Sequence, residues 1–177
     1  MRWVALLRGI NVGATRKLPM AELRELCATL GWREVATYIQ SGNIIFTADG
    51  TAPELEAILE QAIAARFGLD VPVIVRSAGE WPRYAATPFE EAARVEPNRL
   101  MLMLSKQPPA SNAESAIEER ARDGEQVAVS GDAVWIHYPA GSGTSRLSPS
   151  LLDRLIGSPA TSRNYRTILK LKEMLSA

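Results

Sequence analysis

The chain has 177 residues, no net formal charge and 46% hydrophobic residues. This length and apolar content suit one domain, or two small halves that share a core, without disulfides. A single cysteine excludes an intramolecular disulfide, and a single histidine excludes a multi-histidine metal cluster. Because no apolar run approaches the roughly 20 residues of a membrane helix, we expect a cytoplasmic protein with no membrane contact, metal or cofactor.

Charge is unevenly distributed along the chain. Residues 1–48 and 141–177 carry an excess of Lys and Arg, whereas residues 49–140 carry an excess of Asp and Glu. The neutral total argues against indiscriminate nucleic-acid binding, but the basic ends permit a local anion site. Solvated faces of acidic helices explain the negative middle equally well.

The first half of the chain shows an alternation of strand and helix patterns. In order, these are strand Trp3–Arg8, helix Met20–Leu30, strands Val35–Gln40 and Asn43–Thr47, helix Pro53–Phe67 and strand Val71–Arg76. Between the middle two strands, Ser41-Gly42 indicates a tight hairpin. The order β-α-β-β-α-β is typical of the ferredoxin-like fold.

The second half repeats this order loosely. It contains a linking helix Glu80–Ala86, strand Arg99–Leu104, helix Ala113–Arg122, strands Gln126–Val129 and Ala133–Tyr138, helix Ser148–Ile156 and a terminal helix Arg163–Leu175. Only Pro159–Thr161 is available as a fourth strand. We therefore predict an α+β chain of two ferredoxin-like halves, 1–77 and 78–177, within one compact unit. The second half is expected to be less regular and to end in an extra helix.

The junction after the first strand is the most informative segment for function. A basic residue, Arg8, is followed by Gly9 and Gly13, and Pro19 then opens a helix. A glycine loop that leads to a helix N-terminus offers backbone N–H groups and a positive dipole to an anion. The segment fits neither a P-loop nor the dinucleotide fingerprint.

The predicted topology places this junction beside the hairpin, because the first strand ends at the sheet edge where the second turns into the third. Six residues should then converge on one patch: Arg8, Asn11, Lys17, Gln40, Ser41 and Asn43. Their cations and amide donors suit a carboxylate or phosphate. The alternative is purely structural: the glycines supply turns with positive φ and the asparagines bond their own backbone.

Two further basic segments are candidate ligand contacts. Arg146 lies in a loop of small residues before a helix that Ser148 should cap. Arg163 and Asn164 lie at the predicted start of the terminal helix, where Thr161 or Ser162 should be the cap. Cations are disfavoured at a helix N-terminus, so Arg163 indicates an acidic partner, either a ligand or another part of the chain.

Residues for catalysis are sparse. His137 could act as a general base, and Ser41 or Ser145 could take part in phosphate or acyl transfer. No nucleophile, base and acid share a spacing that would bring them together. A half-buried structural role explains His137 as well, and Cys27 lies on an apolar helix face, where it belongs to the core.

Six motifs resemble the bacterial family called domain of unknown function 1697. They are Leu6–Gly13, Pro19–Leu23, Tyr38–Asn43, His137–Gly141, Thr144–Leu147 and Thr161–Lys170. The resemblance covers nearly the whole chain and implies paired ferredoxin-like subdomains, but no reaction, because the family has no established activity. Departures from the family pattern occur at Ala14, Arg146 and Tyr165, although charge at 146 and an aromatic ring at 165 are retained.

The sequence thus favours a binding module for an anionic ligand, either a phosphorylated metabolite or a nucleic-acid segment, at the edge formed by the first glycine loop and the hairpin. A small enzyme acting on a phosphate or acyl group is one alternative. A structural or interaction protein, whose motifs serve only to join the two halves, is the other, and it requires buried, backbone-bonded Asn11 and Asn43. The oligomeric state stays open.

Overall fold

A computed structural model describes residues 1–176 and shows a mixed α+β protein. Within these residues there are two four-stranded antiparallel sheets and seven helices. Contacts divide the chain into two compact units, Met1–Trp81 together with the chain from Glu173 onward, and Pro82–Lys172.

The first sheet and its helices come from β1 Arg2–Leu7, α1 Met20–Thr29, β2 Arg33–Tyr38, β3 Asn43–Thr47, α2 Ala52–Phe67 and β4 Val73–Ser77. The remaining elements are α3 Trp81–Tyr84, α4 Glu90–Val95, β5 Leu100–Ser105, α5 Ala113–Glu118, β6 Gln126–Ser130, β7 Ala133–His137, α6 Pro149–Ile156, β8 Ala160–Asn164 and α7 Tyr165–Ser176.

β1 is an inner strand of the first sheet, whose order is β2-β3-β1-β4. Ala5 pairs with Ile44 of β3 on one side and with Val75 of β4 on the other. Five consecutive residues of β1 are buried, and because successive side chains point to opposite faces of a sheet, both faces of this strand are covered. Alternate residues of the strand, including Trp3 and Leu7, belong to the core cluster that also holds the apolar stripes of α1 and α2.

Helix α2 has sequence-encoded ends. Thr51 and Glu54 form a capping box, in which the Glu54 carboxylate accepts from the Thr51 backbone N–H at 2.8 Å. Hydrogen bonds from the Thr51 side chain and backbone lower the pKa of Glu54. Gly68 ends the helix in the left-handed conformation, at φ 66°.

The exposed edge of β4 is closed by three carboxylates. The N–H groups of Val73, Val75 and Ser77 point away from the sheet, as alternate residues of an edge strand do. They donate to Glu60 at 2.8 Å, to Glu56 at 2.9 Å and to Glu80 at 2.8 Å, respectively. Satisfying these donors removes the unpaired row through which an edge strand would join another strand.

The second unit has the same arrangement of strands. Its order is β6-β7-β5-β8, and β5 pairs with β7 and β8 in antiparallel register. Apolar side chains of β5 to β8 pack with those of α5 and α6 in a separate core cluster that includes Ile117, Ile136 and Leu152. Helix α4, which the sequence analysis did not predict, lies between α3 and β5 in the chain.

The predicted start of the terminal helix at Arg163 is wrong. Residues Ala160–Asn164 form β8, a full fourth strand, and α7 begins only at Tyr165. Thr161 and Ser162 therefore pair with Leu104 and Met103 of β5 and do not cap a helix. The Asn164 side chain instead accepts from the Thr167 N–H at 3.0 Å, as an N-cap residue does.

Residues 1–176 contain no helix long and apolar enough to cross a membrane. In the same range, no group of three or more His, Cys, Asp or Glu side chains has a metal-binding arrangement.

We predict that Glu56→Ala lowers the free energy of unfolding by about 1–3 kcal/mol, because it leaves the Val75 N–H buried without an acceptor. Urea unfolding at pH 7 measures the change. Glu25→Ala is the control, because Glu25 is highly exposed and makes only an ion pair with Arg66, which is worth at most about 1 kcal/mol. Equal losses in the two variants would contradict a special role for the capped edge.

Candidate functional site

Asn11 organises the loop that follows β1. Its side-chain oxygen accepts from the Leu18 N–H at 2.9 Å, and its side-chain nitrogen donates to the Leu18 carbonyl at 2.9 Å and to the Gln40 carbonyl at 2.8 Å. The residue has a φ of 53°, which asparagine tolerates better than most residues. One side chain thus closes the loop and joins it to the hairpin, as the predicted topology requires.

The hairpin approaches β1 closely at Gly42. The Gly42 carbonyl accepts from the Leu7 N–H at 2.8 Å. A Cβ atom at Gly42 would lie 2.7 Å from Ile10 Cδ1 and 2.8 Å from Leu7 Cβ, and the residue has a φ of 81°. Both the contact and the backbone conformation therefore require glycine.

Asn43 is fully buried beside this glycine. Its side-chain nitrogen donates to the Tyr38 carbonyl at 2.8 Å and to the Ser41 hydroxyl at 3.1 Å. These contacts hold the turn from within. Asn11 is only half-buried, but its side chain too bonds to backbone groups. The geometry of both asparagines therefore fits the alternative in which these residues hold the turns together.

Lys17 and Gln40 have a different environment. Together with Asn11, Gly13 and the first turn of α1, they line an open depression of about 610 Å³. Both residues are exposed, and neither side chain makes a hydrogen bond or ion pair with another described residue. The depression lies within the first unit, since all of its lining residues belong to Met1–Trp81.

The start of α1 borders this depression. Pro19 occupies the N-cap position and no side chain caps the helix, while Met20 and Ala21 line the depression. The first N–H groups of a helix lack partners inside the helix. Met20 and Ala21 were not predicted as lining residues. The signal for them was their position directly after Pro19, in the first turn of a predicted helix.

Arg8 lies at the start of the same loop. It is half-buried, and its backbone N–H donates to the Pro72 carbonyl at 3.0 Å, which ties the loop to the residue before β4. Arg8 is not among the residues that line the depression.

Arg146 lies in a loop of the second unit that Ser145 holds in place. The Ser145 hydroxyl donates to the Glu125 carboxylate and accepts from the Leu147 N–H at 3.2 Å. Arg146 itself is exposed, and Ser148 caps α6 by accepting from the Leu151 N–H at 3.3 Å, as predicted.

Glu125 is a nearly buried carboxylate with several donors. Burial by itself raises its pKa, but hydrogen bonds from the Ser145 hydroxyl and from the backbone of Asp123, Glu125 and Arg122 outweigh that effect and lower it. The charged form is therefore favoured in the folded protein.

Arg163 is buried in β8 opposite Leu102, and its guanidinium donates to the Thr161 hydroxyl at 2.9 Å and to the Ser162 carbonyl at 2.7 Å. Burial lowers its pKa to about 10. The prediction that Arg163 lies at the N-terminus of the terminal helix is therefore wrong, because Arg163 belongs to β8 and α7 begins at Tyr165.

His137 borders a separate cleft of about 360 Å³ in the second unit. Its Nε2 lies 3.0 Å from the Glu96 carboxylate and its Nδ1 lies 3.4 Å from the Gln126 amide oxygen. Both ring nitrogens thus have polar neighbours.

Burial raises the pKa of the Cys27 thiol to about 12, so this cysteine is not a thiolate nucleophile at neutral pH.

These features define an α+β protein of two four-stranded antiparallel sheets, with a glycine loop and a hairpin joined at one edge of the first sheet. The chain belongs to the family described as protein of unknown function (DUF1697), whose sequence model matches residues 1–135. This confirms the family resemblance.

The structure is similar to that of the conserved bacterial protein SP0830 from Streptococcus pneumoniae. The two share 25% sequence identity with a TM-score of 0.75, and the alignment covers 98% of each chain. No curated protein matches the sequence significantly.

We predict that Gly42→Ala destabilises the protein more than Gly131→Ala, its counterpart in the second hairpin. Both glycines have a positive φ, but a Cβ at Gly131 meets no atom within 4 Å. Left-handed strain costs about 1–2 kcal/mol in each variant, and overpacking adds about 1–3 kcal/mol at Gly42 only. Thermal and urea unfolding measure the difference. Equal losses of stability in the two variants would show that Leu7 and Ile10 move to accommodate the added methyl group without destabilising the protein.

The lowered pKa of Glu125 predicts a pH-dependent effect of Ser145→Ala. The folded state binds a proton at the Glu125 carboxyl less readily than the unfolded state does. The charged Glu125 therefore contributes its full stabilisation of the fold above its ordinary pKa of 4.5, and this contribution is lost as the pH falls through the lower folded-state pKa. Ser145→Ala should therefore cost about 1–2 kcal/mol at pH 7 and less at pH 3. Urea unfolding at both pH values tests this, with exposed Ser142→Ala as the control; an unchanged cost at pH 3 would contradict it.

Proposed function

We propose that the protein is a binding module for a small anionic ligand, and that the ligand occupies the depression beside the loop and hairpin of the first unit. One observation carries the proposal: Lys17 and Gln40 border this depression, and their side chains have no hydrogen-bond or ion-pair partner among residues 1–176. A cation and an amide without internal partners remain available to a ligand.

The electrostatics of the depression support an anion. The positive end of α1 lies there without a side-chain cap, and the formal charge of Lys17 has the same sign. Helix N-termini favour anions through their N–H groups and dipole. Hydrogen bonds that involve a charged partner are roughly twice as strong as neutral ones.

The six predicted patch residues take different parts in this proposal. Lys17 and Gln40 contact the ligand, while Asn11 holds their loops together through its bond to the Gln40 carbonyl. Ser41 and Asn43 hold the hairpin, and Arg8 supports the loop from β1. Arg146, Arg163 and Asn164 have no part in this depression, because all of its lining residues lie in the first unit.

A small molecule is favoured over a nucleic-acid segment. Single-stranded nucleic acids are commonly bound by stacking of bases on exposed aromatic rings. All four tryptophans, Trp3, Trp32, Trp81 and Trp135, are at most 6% exposed. No indole face is therefore available as a stacking platform, and no aromatic residue lines the depression.

We further propose that each half is ferredoxin-like, with the halves 1–77 and 78–177. Two identical strand orders, β2-β3-β1-β4 and β6-β7-β5-β8, support this, together with the element order β-α-β-β-α-β in both. This fold carries no function by itself, so the functional proposal rests on the depression alone.

We predict that inorganic phosphate binds saturably in the depression and that Lys17→Ala weakens binding about tenfold through loss of a charge-assisted contact. Nitrogen-15 NMR titration measures both the affinity and the location, because the Met20 and Ala21 amide signals should shift. Binding should also weaken as salt rises, since exposed charges are screened.

Arg33→Ala is the charge-matched control for that titration. Arg33 is exposed on β2 and does not line the depression, so its removal should leave the phosphate affinity unchanged. Equal weakening by the two variants, or phosphate shifts spread over the whole surface, would overturn the proposed site.

A further inference from the structure

The depression has more apolar surface than an inorganic anion needs. Pro19, Met20 and Ala21 form one side of it, and the side chains of Lys17 and Gln40 supply the polar groups. The Asn11 amide also lines it, but that amide already bonds to Leu18 and Gln40. Apolar surface of this kind gains free energy only when a ligand with apolar surface covers it.

Two large exposed hydrophobic residues lie next to lining residues in the chain, although neither is itself a lining residue. Val12 is 67% exposed and Ile39 is 48% exposed. Val12 lies between the lining residues Asn11 and Gly13, and Ile39 directly precedes the lining residue Gln40. Because the Asn11 side chain bonds to the Gln40 carbonyl at 2.8 Å, the two segments that carry Val12 and Ile39 are held together.

The size of the depression agrees with a ligand larger than phosphate. Its volume of about 610 Å³ falls within the range of roughly 300–1,000 Å³ that is typical of small-molecule sites. Such sites combine mostly apolar walls with a few polar groups that fix the orientation of the ligand. Lys17, Gln40 and the start of α1 would be those polar groups.

We propose that the ligand is an anion joined to a compact apolar group, such as an aryl or alkyl phosphate or carboxylate. Its anionic end contacts Lys17, Gln40 and the first turn of α1. Its apolar group covers the lining residue Met20 and extends past the lining to the exposed side chains of Val12 and Ile39, which neighbour lining residues in the chain. This inference rests on the proposed anion site and specifies the class of molecule that the site takes.

Phenyl phosphate, inorganic phosphate and phenol are the probes that test the inference, each titrated into the full chain and followed by nitrogen-15 NMR. Phenyl phosphate should bind about tenfold more tightly than inorganic phosphate, because burial of one aromatic face adds apolar contact. Phenol, which lacks the anion, should bind more weakly than phenyl phosphate. Lys17→Ala should weaken both phosphates.

Two variants test the apolar contact directly. Val12→Ser and Ile39→Asn should nearly abolish the tenfold preference for phenyl phosphate over inorganic phosphate. Both variants should leave the affinity for inorganic phosphate unchanged. Asparagine tolerates the φ of 50° found at Ile39, so this variant should fold. Ile58→Asn is the control, because Ile58 is 42% exposed on α2 and neighbours no lining residue of the depression in the chain, and it should keep the preference.

The outcomes separate the two proposals. Equal binding of the two phosphates, or a preference that survives Val12→Ser and Ile39→Asn, would overturn the apolar contact and leave the anion site standing. Phenol binding as tightly as phenyl phosphate would overturn the anionic requirement. If neither phosphate binds, the proposed function itself fails.

Discussion

The side-chain amide of Asn11 is the interaction on which the geometry of the candidate site depends. Its three hydrogen bonds close the loop onto Leu18 and fix that loop to the hairpin at Gln40. The backbone at Asn11 has a positive φ, which few other residues adopt with a polar group of the right length. Without this amide, the loop that carries Lys17 would lose its hydrogen bond to the Gln40 carbonyl.

The two hairpins show how the same turn serves different purposes. In the first unit, Asn43 is buried and bonds within its own turn. At the corresponding position of the second hairpin, the Asp132 carboxylate accepts from the Tyr84 hydroxyl at 2.7 Å and pairs with Arg83 at 3.0 Å. The second hairpin is therefore fixed to the segment that precedes β5, whereas the first is fixed to the loop after β1.

Sequence patterns predicted the elements with strong local signals. The strand and helix patterns and the Ser41-Gly42 turn identify the elements of the first unit almost completely, because each signal lies within a few residues. β8 was predicted only in part, as Pro159–Thr161, because Ala160–Asn164 has no apolar alternation; its stability comes from pairing with β5, more than 50 residues earlier. The carboxylates that close the β4 edge are equally invisible in sequence, because Glu56 and Val75 meet only after α2 has packed on the sheet.

The candidate site could be located from the sequence, but the roles of its residues could not. Topology alone brings the loop and the hairpin to one edge, and the Asn11 contact to Gln40 agrees with that placement. Which side chains are occupied by internal hydrogen bonds depends on angles and distances that no spacing encodes. Asn11 and Lys17 are equally good candidates from the motif alone, yet the Asn11 side chain makes three hydrogen bonds, whereas the Lys17 side chain has no partner in residues 1–176. Since a buried or saturated polar group gains little by binding a ligand and loses its internal bonds, the residues left without internal partners are those that a ligand can use.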